Sequence, residues 1–155
     1  MQISDSVKYV GVDDHKVDLF EGQFEVPNGM SYNSYVILDE KTAVMDSVDE
    51  DFGDEWISNI KEAVGGRSPD YLVVQHMEMD HSANIKKFMD TFKDAKIVSS
   101  KMAFTMMKNY FGTDFAERQI VVSENSKLEL GSHTLSFIAA PNVHWPEVVM
   151  SYESS

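Results

Sequence analysis

Apolar and polar positions alternate loosely through the first third of the chain and take on a helical period after Asp49. Val7-Lys8-Tyr9-Val10-Gly11-Val12 alternates and stops at Asp13-Asp14, as a strand does. Leu19 to Val26 reads as a second strand, ended by the turn signal Pro27-Asn28-Gly29. Ser34 to Leu38 and Thr42 to Asp46 flank Asp39-Glu40-Lys41 in a hairpin pattern. From Asp49 onward Phe52, Trp56, Ile57, Ile60 and Val64 fall on one helical face, and Gly65-Gly66 closes that helix. Tyr71 to Gln75 is a short apolar run suited to a strand buried on both faces. Ile85, Phe88, Met89 and Phe92 then mark a helix, and Lys96-Ile97-Val98-Ser99 another strand. Ser100 is placed to cap a helix whose expected buried side is Met102, Ala103, Met106, Met107, Tyr110 and Phe111, stopped by Gly112. The chain returns to β pattern at Gln119–Val122, Lys127–Leu130, His133–Ala139 and Val148–Tyr152.

Strands at both ends with β-α-β-α-β between them predict a mixed sheet covered by helices on one side. At 155 residues and 43% hydrophobic, the chain is one domain by length and can build a core. Its ten methionines read as gap-filling core residues. The 26 acidic residues against 13 basic ones give a net charge of −13, which argues against a nucleic-acid surface or an anionic membrane. No apolar run approaches the length of a membrane span, and Met1 to Val10 carries charge, so neither a membrane segment nor a signal peptide is expected. With no cysteine, the composition fits a reducing cytoplasm.

The chemistry is concentrated where the buried run Tyr71 to Val74 ends. Gln75-His76-Met77-Glu78-Met79-Asp80-His81 places four metal-competent side chains in six positions. Imidazole with carboxylate suits iron, manganese or zinc rather than thiolate-seeking metals. On an extended segment His76, Glu78 and Asp80 point the same way, while His81 opens the next helix. Such a cluster can serve two neighbouring metals, His76 with Glu78 and Asp80 with His81. His144, in Pro141-Asn142-Val143-His144-Trp145-Pro146, is a further imidazole in a loop stiffened by two prolines. His133 reads as a surface or edge residue, and His15, Lys86 and Lys87 as solvated. Trp56 and Trp145 read as packing anchors, with Trp145 also placed to line a substrate pocket.

His76-x-Glu78-x-Asp80-His81, followed some sixty residues later by His144-Trp145-Pro146, resembles the metal-binding half of the flavodiiron proteins, a branch of the metallo-β-lactamase superfamily. Gly29-x-Ser31-Tyr32-Asn33-Ser34-Tyr35 and Asp39 to Asp46 add to the likeness, which covers nearly the whole chain. The resemblance implies an α/β, metallo-β-lactamase-like αββα sandwich, with residues 1–155 supplying about its first half. It implies a non-haem diiron site that reduces O2 to water or NO to N2O. Electrons would come from FMN on a separate flavodoxin-like domain, fed by a donor such as rubredoxin or a flavin reductase. His76, Glu78 and His144 would bind the iron nearer the flavin, and Asp80, with His81 in some members, the other. Hydrolase members of the superfamily usually carry histidine at the position of Glu78, and a carboxylate there favours iron over a hydrolytic zinc pair.

The family pattern also has a bridging aspartate and a final histidine later than Ser155, and a flavodoxin-like domain absent from this sequence. Five side chains without that bridge fall short of two complete iron coordination shells. The expectation is therefore a truncated piece of a longer flavodiiron protein, with partial metal occupancy and no turnover of its own. A naturally split product and another superfamily member are the alternatives. A homodimer is a further expectation, because half a sandwich would leave the inner face of its sheet bare. The competing function classes are a zinc hydrolase resembling glyoxalase II and a non-catalytic metal-binding domain.

Overall fold

A computed structural model describes residues 3–154; Ser155 and the first two residues of the segment read as free of a signal peptide lie outside the described residues. Six strands form the main sheet: β1 (Val7–Tyr9), β6 (Tyr35–Ile37), β7 (Ala43–Met45), β8 (Tyr71–Val73), β9 (Lys96–Ser99) and β10 (Gln119–Val121), in that spatial order. The first three pair antiparallel, so β6 and β7 are the expected hairpin, and β7 through β10 run parallel. Each parallel step needs a crossover, supplied by α1 (Gly53–Val64), then α2 (Met79–Ser82) with α3 (Ile85–Thr91), then α4 (Lys101–Phe111).

The strict alternation of side chains along these short strands divides the molecule into two cores. Val36, Val44, Leu72 and Ile97 face the helices and meet Trp56, Ile60, Phe88 and Met107. Their neighbours Ile37, Met45, Val73 and Val98 face the other way. There they meet Leu135, Phe137 and Val149 from a second sheet of β11 (Lys127–Glu129), β12 (Thr134–Ala139) and β13 (Val149–Ser154). The inner face expected to be bare is thus covered within one chain, and no second copy is needed to dry it.

Local chemistry accounts for the elements. In α1 the buried stripe is Trp56, Ile57, Ile60 and Val64; Asp54 and Glu55 lie in the first turn and Lys61 in the last, complementing the helix dipole. Gly65 ends it at φ 60°. Ser100 caps α4 by accepting from the Ala103 backbone N–H at 3.1 Å.

Three expectations need correction. The stretch Val7–Val12 is two strands, because Val10 and Gly11 both donate to the Ser34 carbonyl and β2 (Val12–Asp14) leaves to pair with β5 (Met30–Tyr32). A Cβ at Gly11 would lie 2.3 Å from the Tyr32 carbonyl oxygen, so this crossing requires glycine. Leu19–Val26 is a small hairpin, β3 (Leu19–Phe20) and β4 (Phe24–Glu25), turned by Glu21 and Gly22 at φ 52° and 69°. In α4 the buried residues are Ala103, Phe104 and Met107, with Met102 and Tyr110 each 48% exposed. The helix carries apolar residues on two sides, and tertiary packing chose the side with Phe104. The methionines divide likewise: Met45, Met77, Met89 and Met107 are core, whereas Met79, Met102 and Met150 are exposed.

Two clamps hold the sheets in register. At one end the His133 N–H donates to Asp39 Oδ2 at 2.7 Å, and the Lys41 N–H donates to the Leu130 carbonyl at 2.8 Å. His133, expected at a surface or edge, is buried, its Nδ1 2.7 Å from Glu153 Oε1. At the other end Gln75 is the hinge pin. Its backbone and side-chain N–H groups donate to the two Asp46 carboxylate oxygens at 2.7 and 2.9 Å, while its Oε1 accepts from the Ser151 N–H and hydroxyl at 2.9 and 2.7 Å. Gln75→Ala would strip partners from Asp46 and Ser151 together, and is expected to cost about 2 kcal/mol, from the usual penalty for orphaned buried polar groups. Thermal melting should show this as a fall of roughly 4–8 °C for a chain of this size; an unchanged midpoint would show that the clamp is idle.

Candidate metal centre

The parallel strands β7 and β8 end side by side, and the chain leaving β8 carries the cluster across their carboxyl ends, the usual location of sites in open α/β sheets. His76 lies in the connection, and Glu78 is the N-cap of α2, with extended backbone at φ −64°, ψ 144°. His76 Nε2 and His144 Nε2 each approach Glu78 Oε2 to 3.1 Å. One ligand atom from each of the three can be chosen so that all lie within 4.8 Å of one another, a spacing suited to one ion. The two imidazole centroids are 4.9 Å apart, and the Trp145 ring stands perpendicular to His76 with centroids 5.1 Å apart. His144 is carried on a turn closed by the Asn142 N–H donating to the Trp145 carbonyl at 2.8 Å.

Asp80 does not join His76 and Glu78 in an extended row as expected. Helix α2 begins at Met79, so the alternation that aligns His76 with Glu78 ends there. Asp80 turns instead to His81, the third residue of the helix, with His81 Nε2 3.3 Å from Asp80 Oδ2. His81 remains near the first group, its ring centroid 5.9 Å from that of His76. The five residues therefore form two adjoining sets: His76–Glu78–His144, spaced for one ion, and the contacting pair Asp80–His81. Asp80 Oδ1 and His81 Nδ1 are buried without a hydrogen-bond partner among the described residues. Orphaned donor atoms of hard and borderline type, beside a spaced His-Glu-His group, fit divalent iron or zinc.

The electrostatics differ across the two sets. Burial works to raise the Glu78 carboxyl, but hydrogen bonds from Glu21 and His76 and the nearby imidazoles outweigh it and hold Glu78 below its ordinary value. Asp80 is raised, chiefly by burial, with His81 opposing and Glu78 adding. A carboxyl whose folded-state pKa is raised adds stability below its unfolded pKa and loses it as pH rises through the folded value. Ionised Asp80 therefore destabilises the metal-free chain at neutral pH. Asp80→Asn is expected to stabilise that form at pH 7 by roughly 0.5–2 kcal/mol, the usual scale of a single stabilising substitution. Melting curves should show the gain at pH 7 and its disappearance in acid; a loss at pH 7 would contradict it.

Several residues here were not singled out from sequence. Glu21, at the tip of the β3–β4 hairpin, hydrogen-bonds Glu78, and this contact raises the Glu21 carboxyl. With Val17, Phe20, Tyr32, Met79 and Asp80 it surrounds a cavity of about 240 Å³ beside the centre. Tyr32 is buried among these acids, and burial first and Asp49 next push its hydroxyl up to about 12. Glu147 is buried, with Oε1 2.8 Å from both His76 Nδ1 and the Met77 N–H. The signal for Glu147 was its position three residues after His144; Asp46 could have been found as the carboxylate ending the strand beside β8. Glu21 gave no sequence signal, since its hairpin was read as one strand. His15 is exposed, as expected.

Known proteins carry the same fold and sequence pattern. Residues 30–155 match the family model described as ODP family beta lactamase. A nitric oxide reductase of Moorella thermoacetica is 36% identical over 152 residues, covering 97% of this chain and 38% of the relative. The flavodiiron protein of Giardia intestinalis superposes with a TM-score of 0.91 at 33% identity, over 98% of this chain and 37% of that one. The rubredoxin oxygen:oxidoreductase of Desulfovibrio gigas gives 0.91 at 30% identity, over 98% and 38%. The chain thus spans little more than a third of the length of these relatives. No helix among the described residues is long and apolar enough to cross a membrane. The chain belongs to the ODP family of beta lactamases and carries the metallo-β-lactamase-like fold of the flavodiiron proteins.

Proposed function

We propose that this chain supplies part of the diiron centre of a flavodiiron oxygen or nitric oxide reductase, with His76, Glu78 and His144 on one iron and Asp80 and His81 on the other. The observation that carries the reading is Glu78 Oε2 lying 3.1 Å from the Nε2 atoms of both His76 and His144. That carboxylate stands where a zinc hydrolase of this fold would carry imidazole. Bound iron would supply redox and Lewis-acid chemistry to O2 or NO. The chain's own residues hold the ligand atoms in place and shape the approach. Trp145 closes one side of His76, and Val17, Phe20 and Met79 give the adjoining cavity an apolar wall. Its volume of about 240 Å³ admits a diatomic molecule with room to spare, and Glu21, Asp49, Glu78 and Asp80 around it repel anionic hydrolase substrates.

Electrons would come through FMN on a flavodoxin-like unit, with rubredoxin or a flavin reductase as donor. Five side chains do not complete two iron coordination shells, so the chain alone is proposed to take up iron partially and to lack reductase turnover. Anaerobic loading with Fe2+, desalting and mass-spectrometric metal analysis tests this, alongside gas-consumption assays with a chemical reductant. Fewer than two retained irons and no turnover are expected. Two tightly held irons per chain would overturn the partial centre, and retention of zinc with thioester hydrolysis would favour the hydrolase reading.

A further inference from the structure

We infer that Glu147 is a positioning residue, whose buried carboxylate holds the His76 imidazole with its Nδ1–H turned inward so that Nε2 is the nitrogen offered to metal. The inference rests on reading His76 as a ligand, but it concerns a residue that the ligand motif does not contain.

The direction of the hydrogen bonds follows from the partners. Glu147 Oε1 lies 2.8 Å from the Met77 backbone nitrogen and 2.8 Å from His76 Nδ1. A backbone N–H can only donate, so this oxygen is an acceptor, and His76 Nδ1 fills its other lone pair as a second donor. With Nδ1–H held by Glu147, Nε2, the atom facing Glu78 and His144, is the nitrogen left to take a metal once any proton it shares with Glu78 is displaced.

The carboxylate is itself anchored. The Glu147 carbonyl accepts from the Ser100 hydroxyl at 2.8 Å, and the same oxygen of Ser100 caps α4. Glu147 follows His144 by three residues, so one short segment delivers a ligand nitrogen and also aims another ligand's ring. The cost of the arrangement is visible: the side chain is fully buried, and Glu147 Oε2 has no hydrogen-bond partner among the described residues. A purely packing role would be served without that cost by a neutral side chain. A carboxylate on the far nitrogen of a metal-binding histidine fixes the ring and strengthens its lone pair.

The test is imidazole 15N–1H correlation spectroscopy on the metal-free and Zn2+-loaded chain, with zinc affinity by calorimetry, for wild type, Glu147→Ala and Glu147→Gln. The expected wild-type result is a His76 Nδ1–H protected from exchange even without metal, and zinc attached through Nε2. Glu147→Ala should lose that protection and weaken zinc about 10–100-fold, the usual range for such partners. Glu147→Gln, which keeps an acceptor oxygen but no charge, should restore the protected proton and only part of the affinity. Zinc on His76 Nδ1 would overturn the inference, as would a folded Glu147→Gln with undiminished affinity. A protected Nδ1–H in a chain that takes up no zinc would support the positioning role while sinking the metal reading of the previous section.

Discussion

Glu78→Ala is expected to abolish metal uptake at the His76–Glu78–His144 set, weakening it by more than the roughly 100-fold that marks the upper range for outer-sphere partners. Both imidazoles are collected on one carboxylate oxygen, so the substitution removes the only anionic donor of the set and the atom that gathers the other two. The fold should survive. Glu78 at its N-cap position makes no side-chain capping bond to α2, and loss of its bonds to His76 and His144 should cost about 1–2 kcal/mol, less than the fold can bear. Metal analysis and circular dichroism on the same sample separate the two outcomes. Unchanged metal content in a folded variant would favour a non-catalytic domain in which these residues are a solvated acidic turn.

Trp56→Ala should produce the largest loss of stability, about 3–5 kcal/mol, the range for truncating a buried aromatic. Trp56 is fully buried at the centre of the helix-side core, its ring 5.7 Å from that of Phe88. Its indole N–H donates to Ser34 Oγ at 2.9 Å, and Ser34 Oγ donates onward to the Asp46 carbonyl at 3.0 Å. The residue therefore ties α1 to the turn that supports Gln75. Removing it opens a cavity and frees a buried hydroxyl from its donor. Denaturant unfolding should show the midpoint falling sharply; a loss under about 1 kcal/mol would mean that Phe88 and its neighbours collapse into the space.

The parallel core was legible because period decides it. Leu72, Val73 and Val74 form an unbroken apolar run between helical stripes, too short for a helix of its own and suited to a strand covered on both faces. The hairpin around Asp39 to Lys41 and the caps at Ser100, Gly65 and Gly112 were equally local signals. Errors arose where tertiary contacts overrode local pattern. Gly11 ends a strand because a neighbouring carbonyl passes too close, which nothing in Val7–Val12 announces. His133 is buried by Glu153, a partner twenty residues away. The ligand residues were visible as types and spacings, and so was the pairing of Asp80 with His81; what was missed is that α2 starts at Met79, so Asp80 leaves the extended row with His76 and Glu78. Glu21 reaches the centre through a hairpin folded back over it, and Asp46 through the neighbouring strand, and neither connection is local in sequence.

The most direct measurement is anomalous diffraction at the iron edge from crystals of the chain loaded anaerobically with Fe2+. The expected result is an anomalous peak bounded by His76 Nε2, Glu78 and His144 Nε2, with any second, weaker peak beside Asp80 and His81. Iron bound elsewhere, or His76 and Glu78 turned apart with no peak between them, would contradict the account.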